Sequence, residues 1–232
     1  MKASFTEHLA ALRRRLIIVV LLFALASALS YPLSAPLLIR MKADLLPGVT
    51  LVILDPLEAV TAYVTVSMAL GFALTLPVII YHFWSFLSPG LMRDERRLLL
   101  YLVLPSSVLF CLGACFGYFV LLPVALGFLV GEAAPLATPM ISLGSFISFV
   151  SFSVISLGII FQMPLISAAL AKMGVLTHRH LSAYRRHAIV VLFLAAGILT
   201  PDPSPVTQAL LAVPMLALYE SSIATARLVG GG

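Results

Sequence analysis

Apolar residues run along this chain in long blocks, and charges fall between them. Residues 16–39, 59–92, 98–131 and 133–171 contain no Asp, Glu, Lys or Arg. Residues 188–201 are also charge-free, and residues 203–226 hold one acid, Glu220. A helix crossing a bilayer needs about 20 apolar residues, each advancing ~1.5 Å. The first four blocks each accommodate one such helix and a connecting loop. The last stretch is divided by Thr200-Pro-Asp-Pro-Ser-Pro205, whose prolines break helical hydrogen bonding. It predicts two short helices joined by a turn. The first of these is too short for a bilayer of ordinary thickness unless it extends back through Tyr184 or the membrane thins.

The pattern therefore predicts an all-α, polytopic membrane protein, a single integral domain over residues 1–232. Its six spans lie near 16–35, 58–84, 98–122, 144–171, 185–200 and 206–226. Composition excludes the main competitors. Hydrophobic residues make up 62% of the chain and charged ones 10%, against about a quarter charged in globular domains. A soluble enzyme, a disordered protein and a nucleic-acid binder are all disfavoured.

The net charge of +5 is topological. With six spans, twelve Lys and Arg fall on one side, and only Arg40 and Lys42 on the other. Positive charge marks the cytoplasmic side, so both termini are expected there, in a multi-pass protein of the cell membrane. Arg13-Arg14-Arg15 before an apolar run and Ala26-Ser27-Ala28 resembles a cleavable leader. The run continues without a polar cleavage region, which favours an uncleaved first helix. On the outer side, residues 34–46 predict a short amphipathic helix, Pro47-Gly48 a turn, and residues 49–54 a segment packed on the outer face.

Residues able to carry chemistry are few. There is no zinc-protease helix, nucleophile elbow or phosphate loop, and neither metal nor cofactor is expected. His178, His180 and His187 share a cationic loop and read as solvated. Cys111 and Cys115 flank small residues in Gly113-Ala-Cys-Phe-Gly117, a G-x-x-x-G that lets another helix approach. Pro77, Pro105, Pro123, Pro164 and Pro214 should bend their helices. Glu95, in Arg93-Asp94-Glu95-Arg96-Arg97, sits at a helix start, where it either stabilises the first turn or captures a cationic ligand. Glu7 follows Ser4 by three residues, a capping box predicting a helix from about Phe5. Glu220 is expected to reach the membrane interface or to pair within the bundle. Gln162 is an intramembrane polar group, and Asp202 lies in the outer proline-rich turn.

These residues also carry a resemblance. His8-Leu-Ala-Ala-Leu-Arg-Arg-Arg-Leu16 is similar to the H-L-x-E-L-R-x-R of the TatC family, the multispanning receptor of the twin-arginine protein translocase. Ser34-Ala-Pro36-Leu resembles its outer-loop S-x-P-L. Phe86-Leu-Ser-Pro89-Gly-Leu, followed by Asp94-Glu95-Arg96-Arg97, resembles its F-x-x-P-G-L-x-x-x-E-R-R. Gly117-Tyr-Phe with Pro123, Phe161-Gln162-Met-Pro164, Leu199-Thr200-Pro with Asp202, and Gln208 with Leu210-Leu-Ala-Val-Pro214 complete the match.

The resemblance implies a concave six-helix bundle with two short C-terminal helices, and no enzymatic activity. It implies binding of twin-arginine signal peptides of folded cargo at the cytoplasmic face, with transport driven by the proton-motive force. The matched motifs put signal binding on Glu95, Arg13, Arg15, Phe86 and Pro89. TatA- or TatB-like single-span partners would dock near Thr200 and Gln208, and copies of the chain would associate within the complex. Two positions depart from the family. Its N-terminal glutamate is Ala11 here, leaving Glu7, one helical turn earlier, and Asp94 as candidates for the second acid. Its fourth-helix acid is Gln162, which hydrogen-bonds but carries no titratable proton. A six-span carrier and an intramembrane hydrolase are the rival readings. The first lacks the inverted repeats and midplane charges common in carriers, and the second lacks a nucleophile–base or metal set.

Overall fold

The structure, a computed structural model of the chain, describes residues 5–87, 95–133, 135, 138–172, 174–199 and 205–229. The side chains of 5–11, 84, 86–87, 95–102, 198–199, 206–207 and 210 are outside that description. The elements run α1 (Phe5–Leu45), β1 (Thr50–Val52), α2 (Glu58–Leu87), α3 (Glu95–Phe116), a π-helical turn (Gly117–Leu121) and α4 (Leu122–Ala133). Then come β2 (Met140–Ser142), α5 (Leu143–Ile160), α6 (Met163–Lys172), α7 (His178–Ala183), α8 (Arg185–Leu199) and α9 (Pro205–Val229).

Four helical stretches among the described residues are long and apolar enough to span a membrane: Leu12–Leu45, Glu58–Phe83, Val103–Ala133 and Leu143–Lys172. Helix α8, with 15 residues, is shorter than a full span, as its short apolar run predicts. Helix α9 has 25 residues and continues through an internal Pro214.

Three features differ from the expected boundaries. The first helix does not stop near residue 35 before a separate amphipathic helix. It continues through Pro32 and Pro36 to Leu45, 41 residues in all. At ~1.5 Å per residue it is about 60 Å long, twice the hydrocarbon thickness. Both prolines are exposed, so each loses a hydrogen bond without meeting a packed neighbour. The third span also continues, to Ala133 rather than to about residue 122. Pro123 has no N–H for the carbonyl four residues back. The helix widens just before it, with Leu122 N–H donating to Gly117 O, and then resumes. Lastly, the segment after Pro47-Gly48 is a strand. Thr50, Leu51 and Val52 pair in parallel with Met140, Ile141 and Ser142, the one small sheet among the described residues of an otherwise helical fold.

Small residues set the helix crossings. Helices α1 and α2 run antiparallel, meeting where a Cβ on Gly71 would collide with Ser27, and where Tyr31 and Tyr63 stack edge-on, 6.3 Å between centroids. At the α3–α5 crossing, a Cβ on Gly113 would lie 2.7 Å from Leu157 O, and one on Gly117 3.0 Å from Leu157 Cδ1. The predicted G-x-x-x-G is therefore a packing face, and Cys111 and Cys115 are free and exposed beside it.

Three apolar clusters build the interior; the smallest gathers Leu76 and Ile80 of α2, Phe110 of α3 and Ala169 of α6, and the other two are larger. One joins the far end of α1 (Leu38, Met41, Leu45) to α2, α4 and the start of α5. The other joins Leu121 and Leu157 to α8 and α9 through Leu192, Ala196, Leu211, Met215 and Tyr219.

Candidate functional site: the end of the bundle that gathers the basic segments

The antiparallel crossings decide which chain segments meet. Ser27 lies by Gly71, Phe110 by both Phe72 and Gly158, and Gln208 by Phe193. Helix α6 runs alongside α9, with Thr225 Oγ1 donating to Pro164 O at 3.0 Å. The starts of α1, α3 and α8 and the ends of α2, α6 and α9 consequently share one end of the molecule. Arg40 and Lys42 are at the other end, Arg40 paired with Asp44 at 3.0 Å.

The first end holds the residues read as a signal site. Arg13 is exposed and Arg15 half-buried, within electrostatic reach of His82 near the end of α2. Glu95 is the first residue of α3, a favourable place for negative charge. Glu7 lies in the first turns of α1, and Phe86 lies in the last turn of α2. The side chains of Glu7, Phe86 and Glu95 fall outside the described residues, as do Ser4, Pro89 and Asp94 altogether. The topology thus brings the motif segments to one end.

At the α8–α9 junction, Gln208 Nε2 donates to Phe193 O at 2.7 Å and packs on Gly197. Its amide is engaged between the two helices. Thr200 and Asp202 lie outside the described residues. Pro36 is exposed within α1 rather than in an outer loop.

Gln162 has a clear local task. Helix α5 ends at Ile160 with Phe161 as its cap, and Gln162 N–H donates to Ile159 O at 2.9 Å, three residues back. Gly158 O is thereby deprived of its usual donor. The Gln162 side chain supplies one at 3.4 Å and donates to Ser106 O on α3 at 2.9 Å. Pro164 follows within the first turn of α6, where a missing N–H costs nothing. Glu220 is paired between helices: Arg185 Nη2, at the start of α8, donates to its carboxylate on α9 at 2.8 Å, both side chains about half exposed.

One polar residue was missed. Glu58, almost buried at the start of α2, accepts from Leu54 N–H and Gly144 N–H, both at 2.6 Å, from Asp55 N–H at 3.4 Å and from Ser142 Oγ. It ties the loop after β1 to β2 and α5. The signal was weak: an acid at the head of an apolar run looks like ordinary first-turn stabilisation.

The family model described as Sec-independent protein translocase protein (TatC) matches residues 7–214. The chain belongs to the TatC family. The TatC of Aquifex aeolicus (strain VF5) is 42% identical over 223 residues, covering 94% of this chain and 92% of its own. That of Desulforapulum autotrophicum is 35% identical over 237 residues, covering 99% and 86%. A crystal structure of a twin-arginine translocase receptor, TatC, aligns with a TM-score of 0.86 at 40% identity, over 97% of this chain and 100% of that one. The TatC fold is therefore that of an all-α, multi-pass membrane protein. As a TatC protein the chain is the core receptor subunit of the twin-arginine translocase, a transport protein and not an enzyme.

Proposed function

We propose that this TatC chain recognises twin-arginine signal peptides at the end where α1 and α3 begin and α2 finishes, and that this end is cytoplasmic. The convergence of those three helix ends is the observation that carries the reading. Arg13, Arg15, Phe86 and Glu95 lie on segments that share this end of the molecule, although they are far apart in sequence. A guanidinium is a planar fork of donors, and a carboxylate is its bidentate acceptor. Glu95 supplies that acceptor, with Glu7 or Asp94 as the second acid in place of the family glutamate at Ala11. Phe86 and Pro89, from the same family motif, are assigned to signal binding with it. The cytoplasmic assignment is supported by the clustering of basic segments at this end. Six crossings, with α8 and α9 as the last two, put both termini on that side.

Folded cargo would then cross with single-span TatA- or TatB-like partners, driven by the proton-motive force. The α8–α9 junction around Gln208 is the docking place for a partner helix, and further copies of the chain complete the complex.

The test is recovery of the detergent-solubilised chain on an immobilised twin-arginine signal peptide, with a twin-lysine peptide alongside. Selective retention on the arginine peptide is expected. Glu95→Gln should weaken it by about tenfold or more, the loss of a charged hydrogen bond worth about 1.5–3 kcal/mol. Equal recovery on both peptides would overturn the reading.

A further inference from the structure

The α7–α8 turn carries a surface that signal recognition does not use. Arg179, His180, Arg186 and His187 are all exposed there, with Lys172 and Arg227 exposed on the neighbouring helix ends. Among the described residues of α6 to α9 the one acid is Glu220, and Arg185 already holds it at 2.8 Å. The turn is anchored from beneath. Tyr219 Oη donates to Leu181 O at 2.7 Å, Leu181 packs into the α8–α9 cluster, and Thr177 Oγ1 caps α7 by accepting from His180 N–H. The cationic groups are thus presented outward from a fixed backbone.

Directly along α8 the surface changes character. Val190, Val191 and Leu194 are each about 60% exposed, and stand three to eight residues beyond Arg186 and His187 on the same side of the helix. Tyr184, also exposed, lies at the junction with its ring 5.6 Å from that of His187. A tyrosine at this level is typical of a membrane–water boundary.

We infer that the α7–α8 turn binds the headgroups of anionic phospholipids, with Arg179 and Arg186 on the phosphate and the Val190–Val191–Leu194 face along the acyl chain. A cationic cluster alone fits any anion. The apolar stripe continuous with it selects a ligand whose negative head and apolar tail are joined. A soluble phosphate has no use for the stripe, and a twin-arginine peptide is repelled by the cluster. The surface is therefore separate from the signal site, and is tested without reference to it.

The experiment is native mass spectrometry of the purified chain in detergent with equal amounts of phosphatidylglycerol and phosphatidylcholine of matched acyl chains. Retained phosphatidylglycerol should exceed phosphatidylcholine by up to about thirtyfold, the factor expected for two basic contacts at a membrane surface. Arg179→Gln with Arg186→Gln should bring the two lipids to parity. Arg179→Lys with Arg186→Lys should keep the preference, and so should Arg40→Gln with Lys42→Gln at the far end. An unchanged thermal unfolding midpoint of the glutamine variant in lipid-free detergent establishes that it is folded. A preference that survives the glutamine pair overturns the inference. Displacement of the lipid by excess glycerol 3-phosphate, or by an acidic peptide, would also overturn it, reassigning the surface to free phosphate or to a protein segment.

Discussion

At Gln162 one amide serves two carbonyls, Ser106 O across the α3–α5 interface and Gly158 O in its own helix. Replacing it by leucine keeps the volume and removes both bonds. Gln162→Leu should lower stability by about 0.6–1.7 kcal/mol, the range for buried side-chain hydrogen bonds between membrane helices. Denaturant unfolding in detergent would measure it. The nearby Gly158 is a harsher site, since a Cβ there would collide with the Phe110 ring. Gly158→Val should cost about 1–3 kcal/mol through overpacking, and Phe110→Leu in the same chain should recover part of the loss in the same measurement. The question posed by Ala11 also belongs to this scale. Glu7→Ala should weaken twin-arginine binding, and Ala11→Glu added to it should restore binding, since positions four apart share a helix face. Normal binding by Glu7→Ala, with the same mild destabilisation as Ser4→Ala, would make Glu7 a helix cap only.

Elements are joined at the far end through Glu58. Its carboxylate receives the amides of Leu54 and Gly144, which belong to segments some ninety residues apart, and it packs so close that a Cβ on Gly144 would lie 3.0 Å from its Oε1. The β1–β2 pair lies immediately beside it. Glu58→Ala leaves several shielded donors without an acceptor, at about 1–3 kcal/mol each. The expected outcome is faster amide exchange at Leu54, Gly144 and the strand residues, while the α8–α9 amides keep their protection. Glu58→Gln retains one acceptor oxygen and should fall between the two. At the opposite end, Arg185–Glu220 is an exposed pair and contributes little by itself.

For the whole molecule the decisive property is its sidedness. Single cysteines at Lys42 and Arg179, in a chain with Cys111 and Cys115 replaced by alanine, should label from opposite sides of intact cells and inverted vesicles. Labelling of Arg179→Cys from the outside would reverse the proposed orientation and move the signal site to the wrong compartment. The arrangement also separates tasks. The proposed signal site is at the ends of α1, α2 and α3, the proposed partner docking at α8 and α9, and the proposed lipid headgroup site at the turn between α7 and α8.

Run length and charge placement were enough to read the membrane class, the four long apolar spans and the short α8, because each depends on a local stretch of chain; the break ahead of Pro164 was expected only as a bend within one span. The residues proposed for the signal site were likewise read from local motifs. Other features depend on what a residue meets from elsewhere in the chain. Whether Pro32, Pro36 and Pro123 end a helix or merely disturb it turns on the space around them and on a π turn one residue earlier. Residues 50–52 become a strand only because residues 140–142 lie alongside. Glu58 turns from a first-turn acid into a four-donor acceptor only when α5 begins beside it. Hydropathy determines where the chain enters and leaves the bilayer. Which polar atoms face one another at the crossings is decided by packing, since a hydrogen bond needs both partners in place within about 3 Å.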